Sequence, residues 1–136
     1  MPGARSVSVG VWVGVGSRDE PDELAGVSHF LEHLVFKGTK ARSGRDIAVA
    51  IDRVGGDLNA YTAKEHTVFY LRLPIAAARA GLDLLVELLT QPRFAAKDVS
   101  VEREIILEEL AAAEDSAEDL VDQLVWESLF PGHPLG

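Results

Sequence analysis

The chain has 136 residues, of which 47% are hydrophobic and 26% are charged, and its formal net charge is −9. This composition is typical of one soluble globular domain and excludes a disordered or collagen-like chain. The negative charge also argues against nucleic-acid binding, because affinity for phosphate backbones comes from Lys and Arg.

Three features that would place the chain outside the cytoplasm are missing from the sequence. It has no run of about eighteen apolar residues, so we expect no membrane contact. Its N-terminus lacks a basic stretch followed by an apolar one, so we expect no secretory signal. It contains no cysteine, which excludes a disulfide framework and a thiolate metal site. We therefore expect a cytoplasmic protein.

The first predicted element is a strand over Ser6–Gly16, followed by a polar loop over Ser17–Glu23. Apolar β-branched residues alternate along the strand, which predicts one well-buried face. That face carries Val7, Val9, Val11, Val13 and Val15. A helix is predicted over Asp22–Lys37, where apolar residues recur at helical spacing and Gly38 can end the helix.

A second helix is predicted to follow Ser43, because Ser43 and Asp46 resemble a capping box. Gly55 and Gly56 are expected to close it. Two strands are predicted next, over Asp57–Thr62 and His66–Leu73, joined by a tight turn.

The remainder of the chain is predicted to be helical. An apolar helix runs from Pro74 to about Thr90, and a long acidic region covers about Asp98–Phe130 with a break near Asp115. Between Glu102 and Glu127 there are ten acids and one base, which fits either a solvated helix face or a cation site. The order of elements predicts an α+β fold in which helices pack on an antiparallel sheet.

The chemistry centres on the sequence His29-Phe30-Leu31-Glu32-His33. On a helix His29 and His33 project from the same face, and two imidazoles can supply two corners of a tetrahedral zinc site. Glu32 lies beside them, where a carboxylate can reach a water held by the metal. This arrangement is the inverted zincin motif. The alternative is one histidine in the core and one on the surface.

A catalytic zinc site needs a third protein ligand, which must here be a histidine or a carboxylate. The acidic helix offers Glu102, Glu104, Glu108 and Glu109. Glu102 and Glu109 lie two turns apart on one face, and Ile105 and Ile106 between them indicate that this face turns inward. An inward carboxylate is costly unless it is paired or bound to a metal. On these grounds the choice between Glu102 and Glu109 stays open.

Three segments together resemble the pitrilysin and mitochondrial-processing-peptidase family of zinc metallopeptidases, and most of all its bacterial two-domain processing-type proteases. They are Gly26–Thr39, Val54–Thr62 with Glu65, Thr67 and Tyr70 beyond it, and Glu102–Glu109. The resemblance covers nearly the whole chain in order and in spacing. It implies part of a processing-peptidase-like metallohydrolase half.

The resemblance also implies a role for each residue of the motif. His29, His33 and Glu109 would bind one zinc ion per chain, Glu109 lying 76 residues after His33. Glu32 would be the general base that takes a proton from the water and passes it to the leaving amine. Glu102 would support the site without binding zinc.

For the substrate, the resemblance implies a peptide bound in extended form. Asn59 and Ala60 match edge-strand positions that meet the substrate backbone in the family, and Tyr61 would line a neighbouring subsite. An added strand pairs through its main chain, so we expect broad specificity. The alternative for Asn59 is a structural residue that caps a turn.

A zinc-dependent endopeptidase is therefore the expected function. Family members have two related halves, and residues 1–136 correspond to the N-terminal part of the catalytic domain, without the second domain. We expect this segment alone to be weakly active or inactive, and the full-length protein to form a dimer or larger homo-oligomer. The alternative is a non-catalytic structural or presenting subunit of the same family, against which the intact motif argues.

Two further groups are predicted to lie outside the site. Trp12 and Trp126 are expected in the core or at a domain contact. Lys37, Lys40 and Arg42 are expected to form a solvated basic patch after the first helix.

Overall fold

The computed structural model describes residues 3–136, which form three strands, five α-helices and three short 3-10 turns. The strands are β1 (Ser6–Val13), β2 (Asp57–Thr62) and β3 (Thr67–Pro74), and the helices are α1 (Val27–Val35), α2 (Gly44–Asp52), α3 (Ala78–Thr90), α4 (Ala96–Asp115) and α5 (Ala117–Leu129). Among these described residues, no helix combines the length and the apolar character needed to cross a membrane.

The strands form one antiparallel sheet in the order β1-β3-β2. Leu71 of the central strand lies opposite Val9 of β1 and Leu58 of β2. Helices cover this face, and the shared core consists of Val35, Ile47, Ile51, Phe69, Leu71, Leu73, Leu84, Leu85 and Leu88. The predicted α+β fold with helices packed on an antiparallel sheet is confirmed.

The first strand is shorter and less buried than the alternation predicts. It ends at Val13, which pairs with the first residue of β3, so the continuing alternation has no strand to pair with. Val13 and Val15 are accordingly 38% and 46% exposed. The prediction of a well-buried face over the whole of Ser6–Gly16 is wrong, because β1 is an edge strand.

The chain after β1 is tied to the turn between β2 and β3. The N–H of Ser17 donates to the Ala63 carbonyl at 3.2 Å and that of Arg18 to the Lys64 carbonyl at 2.9 Å, and Arg18 also pairs with Glu65. Gly16 is required here, since a Cβ at this position would lie 2.2 Å from the Ala63 oxygen. We call residues 16–20 the bridging loop.

The first helix begins five residues later than predicted. Asp22–Leu24 forms a separate 3-10 turn, and Gly26 then adopts a left-handed conformation with φ of 88°. A left-handed residue cannot continue a helix, so α1 begins at Val27 and carries both histidines within its first two turns.

Both predicted features of the later helix ends are present. The Ser43 hydroxyl accepts from the Asp46 N–H at 3.2 Å, and Asp46 Oδ2 accepts from the Ser43 N–H at 3.0 Å, so the capping box is formed. The acidic region breaks at Ser116, whose hydroxyl caps α5 by accepting from the Asp119 N–H at 3.3 Å.

The inward face of α4 is narrower than predicted. Glu102 is only 2% exposed, but Ile105 is 36% exposed and the Glu109 side chain is 49% exposed. The expectation that Ile105 marks an inward face is wrong. Glu102 faces the C-terminal end of α1, whereas Glu109, two turns further on, lies beside the helix near the surface.

Trp12 is not a core residue. Its side chain stands on the sheet face opposite the helices, opposite Val68 in the strand register, and is 66% exposed. Trp126 is half-buried and stacks on Phe130, with ring centroids 5.5 Å apart.

Candidate metal centre

The helix that carries the two histidines is capped by Glu20 of the bridging loop. Oε2 of Glu20 accepts from the Gly26 N–H at 2.6 Å, and Oε1 accepts from the Ser28 N–H at 2.7 Å. The carboxylate thus binds backbone donors that the first helical turn leaves free, where the helix dipole favours negative charge. Partial burial raises the pKa of Glu20, but hydrogen bonds from Ser28 and Gly26 outweigh it, and the pKa lies below the ordinary 4.5.

Replacing Glu20 by Gln should lower the free energy of unfolding by about 1–2 kcal/mol near neutral pH, since an amide has a single acceptor oxygen and no charge. Because the folded-state pKa of Glu20 is lowered, its contribution is fully present above the unfolded value of 4.5. It is lost as the pH falls through the folded-state pKa. Urea unfolding should therefore show the two proteins converging as the pH falls below 4.5.

Glu23→Gln is a matched control, because Glu23 is exposed and accepts no hydrogen bond from any residue in 3–136. Its free energy of unfolding should change by less than about 0.5 kcal/mol. Equal losses in the Glu20 and Glu23 variants would contradict the capping role.

His29, His33 and Glu109 converge at one point between α1 and α4. The Nε2 atoms of the two histidines are 3.2 Å apart, and Oε2 of Glu109 lies 3.7 Å from the first and 3.6 Å from the second. Their candidate ligand atoms all lie within 4.8 Å of one another. The side chains are 40%, 20% and 49% exposed in the order named, so the point where they meet is open to solvent.

These separations fit a zinc ion. In a tetrahedral site with bonds of about 2.0–2.1 Å, neighbouring ligand atoms are about 3.4 Å apart. The three measured separations of 3.2, 3.6 and 3.7 Å lie close to that edge length. Two imidazole nitrogens and one carboxylate are also a donor set that catalytic zinc sites use, with the fourth position left to water or substrate.

Glu102 contacts His33 through the ring nitrogen that points away from His29 and Glu109. Its Oε2 lies 3.2 Å from Nδ1 of His33, and its Oε1 lies 2.6 Å from Nζ of Lys37. A carboxylate paired with a lysine only accepts hydrogen bonds, so Nδ1 of His33 is the donor in this contact, and Nε2 is the ring atom left to face the point of convergence. Carboxylate partners of this kind fix the ring and tautomer of metal-binding histidines.

Glu32 contacts the sheet. Its Oε2 accepts a hydrogen bond from the Thr62 hydroxyl, at the end of β2, over 2.5 Å. The contact places the predicted general base between α1 and the edge strand.

The three predicted substrate residues lie on β2, an edge strand of the described sheet. The Ala63 N–H donates to the His66 carbonyl across the turn. In an antiparallel pair only every second residue bonds to the partner strand. Ala60, three residues before Ala63, therefore points its N–H and C=O away from β3, to the free edge of β2. The Ala60 N–H is held there by Oδ1 of Asn59 at 2.9 Å. The Asn59 and Tyr61 side chains stand on the sheet face opposite the helices, and Tyr61 is 45% exposed.

Sequence reasoning missed three residues around the centre: Glu20, Lys37 and Thr62. Lys37, expected in a solvated patch, pairs with buried Glu102, and Arg42 of that patch pairs with Glu87. One signal was available for Lys37: on the helix predicted over Asp22–Lys37 it follows His33 by four residues and would lie on the same face. Thr62 lies thirty residues from its partner Glu32, and no local pattern connects the two.

The sequence of the whole chain is similar to those of known proteins. The family description "Insulinase (Peptidase family M16)" matches residues 1–136. An uncharacterized zinc protease of Mycobacterium leprae is 49% identical over 136 residues, covering 100% of this chain and 31% of that protein. An uncharacterized zinc protease of Bacillus subtilis is 41% identical over 135 residues, covering 99% of this chain and 33% of that protein.

The fold is also similar to that of a solved structure. The crystal structure of a protease from Helicobacter pylori superposes with a TM-score of 0.91 at 26% identity, covering 97% of this chain and 32% of that one. The chain therefore spans about a third of the length of the curated relatives described above.

Proposed function

The chain belongs to the insulinase family of peptidases, family M16, and from this we propose that it is the N-terminal part of the catalytic domain of a zinc-dependent endopeptidase. The observation that carries the proposal is the convergence of His29 Nε2, His33 Nε2 and Glu109 Oε2 at separations of 3.2 to 3.7 Å. The printed names of the Mycobacterium leprae and Bacillus subtilis relatives, both zinc proteases, support it.

In this proposal His29, His33 and Glu109 hold one zinc ion per chain. When bound, zinc would polarise the scissile carbonyl and make a water molecule more acidic. Glu102 keeps His33 in the tautomer whose Nε2 can bind the metal, and Lys37 balances the charge of buried Glu102.

Glu32 performs the proton transfers. It accepts a proton from the attacking water and returns it to the leaving amine. A general base must lie within hydrogen-bonding reach of the proton that it takes. No covalent intermediate with the enzyme is needed, so the site requires no serine or cysteine nucleophile.

The free edge of β2 is the proposed binding surface for the peptide. An extended segment can add to this edge as a further strand, with the exposed backbone of Ala60 among its partners. Since the Ala60 N–H is held by the Asn59 side chain, substrate pairing at this position requires that side chain to move. Tyr61 then contributes its exposed ring to a neighbouring subsite.

The test is metal analysis of the full-length protein together with an assay on an unstructured fluorogenic peptide. We expect one zinc per chain, cleavage of the peptide, loss of zinc and cleavage on dialysis against a chelator, and return of both on adding zinc. Cleavage that persists in the metal-free protein would overturn the proposal. Residues 1–136 expressed alone should cleave the peptide weakly or not at all. Catalysis needs the peptide held within about 1 Å of its reactive position, and we expect the second domain to be needed for that.

A further inference from the structure

Thr62 makes a contact that zinc binding does not require. Its hydroxyl donates to Oε2 of Glu32 over 2.5 Å, a length typical of a hydroxyl bound to a carboxylate. We propose that Thr62 is a positioning residue that holds the Glu32 carboxylate in the orientation needed for proton transfer. The inference rests on the proposed peptidase function.

Thr62 is suited to this role because its own position is fixed. It is the last residue of β2 and pairs with Thr67 of β3. Thr67 is buried, and its hydroxyl donates to the Val15 carbonyl at 3.0 Å. A β-branched side chain also has restricted χ1. A glutamate side chain, by contrast, has many rotamers when nothing holds it.

The contact makes the two carboxylate oxygens of Glu32 different from each other. Oε2 is held by Thr62, whereas Oε1 accepts no hydrogen bond from any protein group within residues 3–136. Oε1 is therefore the oxygen that can take the proton. Both side chains are half-buried, which limits competition from water for the bond.

The test uses the zinc-loaded full-length protein with Thr62→Val, which keeps the size and branching of the side chain and removes the hydroxyl. We expect kcat to fall by about tenfold to a hundredfold, the range that a misplacement near 1 Å can cause. KM should stay within about twofold and the zinc content should not change, because the substitution removes only the hydroxyl bonded to Glu32 and leaves the β2 backbone and the three metal ligands intact. Thr62→Ser, which restores the hydroxyl, should return kcat to within about threefold of the wild type.

Thr67→Val is the matched control. It makes the same chemical change directly across the ladder and breaks the bond to Val15 rather than the bond to Glu32. It should lower the thermal midpoint with little change in kcat. Equal losses of kcat in Thr67→Val and Thr62→Val, an unchanged kcat in Thr62→Val, or a Thr62→Ser variant no better than Thr62→Val would each overturn the proposal.

A second readout needs no catalysis. In the metal-free protein, the thermal midpoints of Thr62→Val, Glu32→Ala and the double variant should be non-additive, because either single change already removes the shared bond. If the shifts are additive and the zinc-loaded wild type still cleaves peptides, the role of Thr62 is overturned and the peptidase function stands. A wild type that binds zinc and cleaves no peptide would overturn the peptidase function, and this role with it.

Discussion

Glu32→Gln should lower kcat for peptide hydrolysis by about 10²- to 10⁴-fold, the contribution of a positioned general base. The amide has nearly the shape of the carboxylate and can still accept the hydrogen bond from Thr62, but it cannot take a proton from water. The zinc content should match that of the wild type, since Glu32 is not among the three converging ligands. Steady-state kinetics and elemental analysis of the same preparation check both parts.

Glu108→Gln is a suitable control for this variant. Glu108 is an exposed glutamate on α4, next to the proposed ligand, and the same change there removes one charge near the centre. Its kcat should stay within about twofold of the wild type. Turnover of Glu32→Gln near the wild-type rate would show that another group is the base.

Glu109→Ala should lower zinc affinity strongly, because it removes one of three protein ligands. The loss should exceed the range of about 10- to 100-fold that follows loss of an outer-shell partner. The stability of the metal-free protein should change by less than about 0.5 kcal/mol. The side chain is half-exposed, and within residues 3–136 it forms ion pairs with the two histidines alone. Competition with a zinc-sensitive dye measures the affinity, and urea unfolding measures the stability.

Glu102→Ala should give the opposite balance. It leaves Nδ1 of His33 and Nζ of Lys37 without their acceptor, which should destabilise the metal-free protein by about 1–3 kcal/mol. Zinc affinity should fall by only about 10- to 100-fold, as for an outer-shell partner. Full zinc occupancy in Glu109→Ala, with loss in Glu102→Ala alone, would reverse the ligand assignment.

Most elements of this fold could be predicted because their patterns are local. Alternating valines, helical spacing around His29 and the capping box at Ser43 each depend on residues within one or two turns of one another. The end of β1 could not be predicted this way, because Val15 continues the alternation beyond the residue at which the partner strand β3 begins. Burial along a strand depends on its neighbours in the sheet as well as on its own sequence.

The same distinction applies to the metal centre. The histidine pair follows from a four-residue spacing on one helix, whereas helix periodicity left Glu102 and Glu109 equivalent. What separates the two α4 glutamates is the part of α1 that each one meets. Glu102 contacts His33 and Lys37, whereas Glu109 contacts His29 and His33. That difference depends on how two helices distant in the chain are packed, so only the family resemblance could anticipate it.

The bridging loop also determines which parts of the molecule open together. At one end it is bonded to the turn between β2 and β3, and at the other Glu20 holds the first amides of α1. Segments joined in this way tend to unfold as one cooperative unit, and amide hydrogen exchange reports such units. We therefore expect the β2–β3 hairpin and α1 to open as a single foldon, with the Gly26 and Ser28 amides exchanging together with the hairpin rather than through separate fraying of the helix end.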